Sequence, residues 1–200
     1  MKTTFRILSV FLALSLLVPG FSSVAKAGSQ GKKALMIVAS SDFEQNEYKK
    51  TRAELEKGGV DCTVASTKVG KLKGNKGKRI SSDILLSDAI VADYDAIVVI
   101  GGNGIKKVWK NEDANRIVKE AATQGKVVAA ICAGPGLLAH AGVLNGKKAT
   151  AHPKSGAKSV MKRNGCTYEN EKVVVDGKII TANGPRAASA YGEAIVSALN

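Results

Sequence analysis

The segment Ala130 to Pro135 (AICAGP) combines residue types that could support nucleophilic chemistry. An apolar strand runs into a single cysteine, Cys132, and the small residues after it suit a tight turn into a closely packed helix. Hydrolases present catalytic serines on a similar turn. A helix N-terminus and free backbone N–H groups both lower the pKa of a nearby cysteine, so the pattern predicts a reactive thiolate. An inert core cysteine at the end of a strand is the alternative interpretation.

Strand and helix signals alternate along most of the chain, as they do in a parallel sheet covered by helices on both faces. Strands are predicted at Ala34 to Ala39, Val60 to Ala65, Ala96 to Ile100 and Lys126 to Ile131. Helices are predicted at Glu44 to Lys57, Ile84 to Val91, Asn111 to Thr123, from about Gly134, and at Ala187 to Leu199. The dipeptide Asp176-Gly177 predicts a hairpin between Lys172 to Val175 and Lys178 to Thr181. The fold class is therefore α/β, with Cys132 directly after the fourth strand.

Ligands of an open parallel sheet collect outside the carboxyl ends of its strands. Three segments of this chain are predicted to meet there: the loop Asp42 to Tyr48, the turn Gly101-Gly102, and the segment around Cys132. The backbone N–H groups of Gly102 and Ala133 could hold a developing oxyanion at this edge. The sequence thus predicts one site, built from three loops.

Residues 1 to 27 have the organisation of a secretory signal peptide. Basic residues precede an apolar run from Ile7 to Val18 that is too short to span a bilayer, and Ala25 and Ala27 suit cleavage before Gly28. A retained membrane-associated helix is the alternative. We expect an exported protein, periplasmic or extracellular, with no membrane anchor after cleavage and a single domain over residues 28 to 200.

The chain carries a net charge of +13, which favours anionic partners without specifying one. Much of the local excess lies in the basic, glycine-rich segment 68 to 79. This segment lacks the aromatic residues on which nucleic-acid bases stack. It predicts a solvated, flexible hairpin or loop, and no specific nucleic-acid partner is expected.

Cys62 and Cys166 accompany Cys132, so at least one thiol of the chain is unpaired unless chains are cross-linked. A disulfide between Cys62 and Cys166 fits an exported protein, and so does burial of Cys62 as a small apolar side chain. There is no CxxC pair and no cluster of cysteine and histidine, so the sequence predicts no metal site. No motif indicates a cofactor.

Five segments resemble the ThiJ/PfpI family in order and spacing. They are Ala129 to His140 (AAICAGPGLLAH), Ala151 to Pro153 (AHP), the Gly101-Gly102 turn, Asp42 to Tyr48 (DFEQNEY) and Asn183 to Pro185 (NGP). The resemblance covers nearly the whole chain after residue 27 and looks closest to the deglycase-like branch. It implies a flavodoxin-like domain, usually a homodimer, with the elbow cysteine as its reactive centre.

The resemblance also implies a carboxylic acid resting against the sulfur of Cys132. Glu47 and Glu44 match the family's paired glutamates, and their spacing places both on one face at the start of a helix. Glu47 is the preferred proton-shuttling partner, with a raised pKa beside a thiolate, whereas two solvated glutamates are the alternative. His152 matches a family histidine near the cysteine, in a catalytic or a structural role. His140 is assigned to packing or to the surface.

The function implied is a cofactor-independent enzyme that acts on small reactive aldehydes, turning methylglyoxal into lactate or removing early glycation adducts from proteins. A redox-sensing or chaperone-like protein that oxidises Cys132 to the sulfinic acid is one alternative. A cysteine peptidase or amidase is another, disfavoured because Ala133 stands where the peptidase branch carries histidine. Arg186, directly after the NGP segment, is a further departure from the family and could change substrate preference.

Overall fold

The computed structural model describes residues 31 to 200, so the predicted signal peptide lies outside the described residues. The strands of this part are β1 Lys33–Ile37, β2 Ser41–Phe43, β3 Asp61–Ser66, β4 Gly70–Gly74, β5 Arg79–Ser82, β6 Ile84–Leu85, β7 Ala96–Val99, β8 Val127–Ile131, β9 Lys148–Ala149, β10 Thr167–Tyr168, β11 Val173–Asp176 and β12 Ile179–Ala182. The α-helices are α1 Gln45–Lys57, α2 Glu112–Thr123, α3 Pro135–His140, α4 Ala157–Arg163 and α5 Ala188–Leu199. Short 3-10 helices lie at Val91–Asp93, Gly104–Lys107 and Pro185–Ala187.

The central sheet has seven strands in the order β11-β12-β8-β7-β1-β3-β6. Its neighbouring strands run parallel except at one edge, where β11 pairs antiparallel with β12 across the predicted Asp176-Gly177 turn. The sequence prediction of an α/β fold with a mostly parallel sheet is confirmed. The carboxyl end of β8 lies between the ends of β7 and β12, and Cys132 follows it directly.

Both faces of the sheet are covered. Every residue of β7 and β8 is buried, whereas a strand with one face in solvent would have an exposed residue at every second position. Helices α1 and α5 pack against each other, with α1 on β3 and α5 on β8 and β12, while α2 and α3 form a second group that also contacts β8. Because β8 is fixed from both sides, the turn that follows it starts from a rigid strand.

Helix α1 carries the first loop's glutamates into the protein. Glu44 is its N-cap, and the Oε2 atom of Glu44 accepts a hydrogen bond of 2.7 Å from the backbone N–H of Glu47. Glu47, Thr51 and Leu55 recur at helical spacing and are fully buried. Glu47 therefore belongs to the buried face of α1.

The prediction of a helix from Ile84 to Val91 is wrong. Ile84 and Leu85 form β6, which pairs in parallel with the end of β3, and only a single 3-10 turn follows at Val91–Asp93. Between them Ser87 and Asp88 occupy a turn, as their side chains favour. The apolar residues of this stretch instead cover an edge of the sheet, where Leu86 is buried.

The basic segment 68 to 79 is a hairpin, one of the two forms predicted for it. Strands β4 and β5 pair antiparallel, and β2 joins β4 in a separate three-stranded sheet. Leu72 is buried, so the hairpin is anchored to the core by an apolar side chain while its lysines face outward. The N–H group of Lys78 donates to Gln45 Oε1, which ties the hairpin to the start of α1.

Candidate active site around Cys132

Cys132 occupies a sharp turn with backbone φ of 63°, in the left-handed region that residues other than glycine rarely adopt. This conformation costs about 1 to 2 kcal/mol for a residue with a side chain. Two backbone hydrogen bonds hold it: the Cys132 N–H donates to Ala182 at 2.8 Å, and the Cys132 carbonyl accepts from His152 N–H at 3.0 Å. The predicted elbow is present, and its thiol is partly exposed.

Glu47 reaches Cys132 from the other side. It is fully buried, and its Oε2 accepts a hydrogen bond of 3.1 Å from Gly101 N–H. Its Oε1 has no hydrogen-bond partner within residues 31 to 200, and its carboxyl group is close enough to the Cys132 thiol to raise the pKa of that thiol. The turn Gly101-Gly102 permits this approach, because a Cβ on Gly101 would lie 2.5 Å from Glu47 Oε2 and 2.6 Å from Cys132 Cβ. The three loops predicted to converge at the sheet edge do meet there.

Glu44 takes a different position from Glu47. It is also buried, but its carboxylate is directed at the first turn of α1, where it caps the Glu47 N–H and accepts a long hydrogen bond of 3.5 Å from Asn46. Its charge contributes to raising the pKa of Glu47. Of the two candidate glutamates, only Glu47 contacts the thiol, and Glu44 positions Glu47.

Burial dominates the electrostatics of the pair. Desolvation raises the pKa of Glu47 to about 8, although its contact with the Cys132 thiol opposes the shift. Desolvation, followed by the charge of Glu47, raises the pKa of the Cys132 thiol to about 12. At neutral pH both groups are therefore protonated. The pKa at which the first proton is lost is a property of the coupled pair and not of either residue alone.

The prediction of a lowered pKa for Cys132 is therefore wrong in direction. Helix α3 begins three residues after the cysteine and is only six residues long, so its dipole is weak. The N–H groups of Gly102 and Ala133 do hydrogen-bond to the sulfur and lower its pKa, but burial and the neighbouring carboxyl group outweigh them. The same two N–H groups had been identified from the sequence as oxyanion donors, and they converge on the reactive atom.

His152 supports the elbow through its backbone, and its ring lies to one side. Its Nδ1 accepts a 3.3 Å hydrogen bond from the Lys154 N–H, so the neutral ring carries its proton on Nε2. Within residues 31 to 200, no hydrogen bond joins this ring to Cys132 or Glu47. His140 is exposed at the end of α3, as predicted for a surface residue.

Trp109 is a site residue that the sequence analysis missed. Its indole Nε1–H donates a 2.9 Å hydrogen bond to the carbonyl of Ala133, the residue after the nucleophile. Its ring also fills the space beside Gly136, where a Cβ would lie 2.3 Å from the ring. The only sequence signal is that this single tryptophan of the chain follows soon after the Gly101-Gly102 turn. Ser155, whose hydroxyl donates to the His152 carbonyl at 2.7 Å, was missed as well.

The remaining cysteines lie outside this site. Cys62 is half-buried in β3, Cys166 is buried before β10, and both are free thiols, so the disulfide considered above is not formed. No cluster of three or more histidine, cysteine or acidic side chains among residues 31 to 200 could hold a metal ion. Over the same range, no helix has both the length and the apolar character needed to cross a bilayer.

Several known proteins are similar to this chain in sequence or in fold. A deglycase of Pyrococcus abyssi is 34% identical over 76% of this chain and 90% of its own length. A glutathione-independent glyoxalase of Caenorhabditis elegans is 30% identical over 84% of this chain and 89% of its own. The crystal structure of a ThiJ/PfpI domain protein from Brachyspira murdochii superimposes with a TM-score of 0.81 at 30% identity, covering 85% of this chain and 98% of that one. The family model described as DJ-1/PfpI matches residues 32–198, and the chain therefore belongs to the DJ-1/PfpI family.

Proposed function

We propose that this protein is a cofactor-independent enzyme that converts small 2-oxoaldehydes such as methylglyoxal into 2-hydroxy acids, with Cys132 as nucleophile and Glu47 as proton carrier. The observation that carries the proposal is the buried carboxyl group of Glu47 beside the thiol of Cys132 on a strained elbow. Relatives named as a deglycase and as a glutathione-independent glyoxalase support the same chemistry. Removal of early aldehyde adducts from proteins would use the same two groups.

The reaction begins when Glu47, in its ionised form, takes the proton of the Cys132 thiol. The sulfur then forms a bond to the aldehyde carbon, and the aldehyde oxygen becomes an oxyanion of a hemithioacetal. The backbone N–H groups of Gly102 and Ala133, which converge on the sulfur, stabilise that oxyanion. Proton return to this oxygen completes the addition.

The second stage moves a proton between two carbons. Glu47 removes the hydrogen of the former aldehyde carbon, which gives an enediol, and returns a proton to the neighbouring carbon, which was the ketone. The product is a thioester of the 2-hydroxy acid on Cys132. Water then cleaves the thioester, so methylglyoxal plus one water gives lactate and the free thiol, without an external oxidant or reductant.

The alternatives have less support. A cysteine peptidase needs a base that is hydrogen-bonded to the nucleophile and later protonates the leaving amine. Here the residue after Cys132 is Ala133, and the ring of His152 makes no hydrogen bond to Cys132. A peroxide sensor would use the same thiol, but the relatives compared above are named as a deglycase and a glyoxalase. Both hypotheses therefore rank below aldehyde conversion.

Lactate formation from methylglyoxal tests the proposal. Purified protein, kept reduced and free of metal and glutathione, is compared with Cys132→Ser and Glu47→Gln, with circular dichroism as the control for folding. We expect turnover by the unaltered protein and none above background in either variant. Absence of turnover in the folded, reduced protein would remove this substrate from the proposal.

Export and assembly are separate proposals. We propose that residues 1 to 27 are removed on export and that the domain forms a homodimer. The mass of the protein recovered from its native host tests the first, since cleavage leaves a chain that begins at Gly28. Light scattering of the purified domain tests the second.

A further inference from the structure

A cleft of about 540 Å³ lies beside the Cys132 and Glu47 pair. Its lining residues are His152, Pro153, Lys172, Asn183, Gly184, Pro185 and Arg186. Gly184 links the cleft to the site: a Cβ there would lie 4.0 Å from Glu47 Oε1 and 3.1 Å from His152 Cδ2. The φ of 139° and ψ of −168° at Gly184 are accessible essentially to glycine alone, so the chain holds this close approach at a specialised position.

The cleft is positively charged. Lys172 and Arg186 line it, no acidic side chain does, and neither cation forms an ion pair with any residue in the range 31 to 200. His152 adds a donor, because its Nδ1 accepts from the Lys154 N–H and its Nε2, next to the Cδ2 atom that faces Gly184, carries the ring proton. Some cations elsewhere in residues 31 to 200 are engaged, since Lys126 donates to three backbone carbonyls and Lys147 pairs with Asp176, whereas others such as Lys162 have no ion pair either.

We propose that this cleft binds an anionic group at the far end of the substrate, so that the preferred substrates are 2-oxoaldehydes carrying a carboxylate. A three-carbon neutral aldehyde such as methylglyoxal would leave most of a 540 Å³ cleft unfilled and would contact neither cation. A carboxylate beyond the ketone is the group that a cleft lined by Lys172 and Arg186 suits, because a planar guanidinium binds carboxylate oxygens in pairs. This inference rests on the proposed function, because it names the substrate class of the same site.

The chemistry for such a substrate balances as it does for methylglyoxal. With 4,5-dioxopentanoate, the sulfur of Cys132 adds to the aldehyde carbon and Glu47 moves that carbon's proton to the ketone carbon. Water then releases 2-hydroxyglutarate. The aldehyde carbon is oxidised and the ketone carbon is reduced within one molecule, and one water is consumed.

The test compares kcat/KM for 4,5-dioxopentanoate with kcat/KM for 2-oxopentanal, a neutral 2-oxoaldehyde of the same chain length. We expect the unaltered protein to prefer the anionic substrate by about tenfold or more at low ionic strength, and the preference to shrink as salt is added. Arg186→Gln and Lys172→Gln should each lower the ratio of the two kcat/KM values by about fivefold. Lys162→Gln, which removes one exposed cation on α4 outside the cleft, should leave the ratio unchanged.

A ratio near one in the unaltered protein, or a ratio that Arg186→Gln and Lys172→Gln do not lower, would overturn the inference. Calorimetric titration with 2-hydroxyglutarate separates this failure from failure of the proposed function, since it needs no turnover. Binding that weakens in Arg186→Gln but not in Lys162→Gln would support the anion cleft even if no aldehyde were converted. Turnover of both aldehydes without such binding would support the proposed enzyme activity and rule out the anion-binding role of the cleft.

Discussion

The carboxyl group of Glu47 and the thiol of Cys132 lie side by side at the end of β8 and form one pair that holds two protons at neutral pH. Burial raises the pKa of both groups, the charge of Glu47 raises the pKa of the thiol further, and the Gly101 N–H fixes the carboxyl group at 3.1 Å. The pair therefore acts as a single acid whose first ionisation supplies the nucleophile. Its behaviour should change when either partner is altered.

Glu47→Gln should make Cys132 more reactive toward a simple alkylating agent while abolishing turnover. The charge of Glu47 and its contact with the thiol both raise the thiol pKa, so their removal lowers it and increases the thiolate fraction. A fall of one pKa unit would raise the iodoacetamide rate at mildly alkaline pH about tenfold. Loss of the proton carrier should lower kcat by about 100-fold or more. Slower alkylation in Glu47→Gln would contradict the assigned electrostatics.

Stability should fall with rising pH because of Glu47. Burial raises the pKa of Glu47 in the folded protein to about 8, above its ordinary value of 4.5, so the folded protein binds the extra proton between these pH values. The stabilisation is complete below about pH 4.5 and is lost as pH rises through 8, with a slope on the order of 1 kcal/mol per pH unit. Urea unfolding at a series of pH values measures the slope. The Glu47→Gln variant should be less dependent on pH over this range, and equal slopes for the two proteins would refute the assignment.

Gly101→Ala should damage both the fold and the site. The new Cβ would meet Glu47 Oε2, Cys132 Cβ and the Ile131 carbonyl, all within 2.7 Å, and two of these contacts are close to the backbone. We expect a loss of about 2 to 3 kcal/mol in the free energy of unfolding and a fall of about 100-fold in kcat/KM through displacement of the carboxyl group.

Gly125→Ala is the matched control for that change. Gly125 lies after α2 with φ of 68°, and nothing lies within 4 Å of its added Cβ. The substitution should cost about 1 to 2 kcal/mol of backbone strain and leave kcat/KM unchanged. A Gly101→Ala protein with unaltered kinetics would show that Glu47 need not touch Cys132.

Trp109→Phe should loosen the elbow. It removes the 2.9 Å hydrogen bond to the Ala133 carbonyl, which keeps its hydrogen bond from the Gly136 N–H, so the expected cost is about 0.5 to 1.5 kcal/mol of stability. Because the Ala133 N–H donates to the sulfur, we expect kcat to fall about tenfold while KM changes little. A loss of stability with unchanged kcat would show that Trp109 stabilises the fold and does not influence the reaction.

All three thiols should react in denatured protein that has not been treated with reductant. Cys62, Cys132 and Cys166 are free in the structure, and burial raises the pKa of each. Intact mass after alkylation in denaturant should show three added groups. A single added group would indicate that Cys62 and Cys166 pair after all.

Much of this fold could be predicted from sequence because its central strands are buried on both faces and read as unbroken apolar runs. The hairpin at Asp176-Gly177 was equally predictable from local turn chemistry. The structure of the segment Ile84 to Val91 was not predictable, because its short runs of apolar residues fit either a helix or an edge strand. Only the pairing with β3 decides between the two. Local patterns determine the elements, whereas edge strands depend on distant neighbours.

The site was predictable as a set of residues but not in its electrostatics. Cys132 follows a buried strand, and its turn could be inferred from the small residues around it. The direction of its pKa shift depends on burial, which no spacing reveals. Glu44 and Glu47 are identical side chains three residues apart, and only the capping hydrogen bond of Glu44 separates their positions. Trp109 was missed because its partner lies 24 residues away in sequence.

Proton transfer within the Glu47 and Cys132 site is tested most directly by converting methylglyoxal in deuterated water and reading the lactate by NMR. An enediol formed by Glu47 takes its new proton from a carboxyl group that exchanges with solvent, so the account predicts deuterium at the central carbon of lactate. It also predicts that Cys132→Ser and Glu47→Gln form no lactate above background. Lactate without deuterium at that carbon, formed equally fast by Glu47→Gln, would show that the hydrogen migrates without Glu47 and would contradict the role assigned to it.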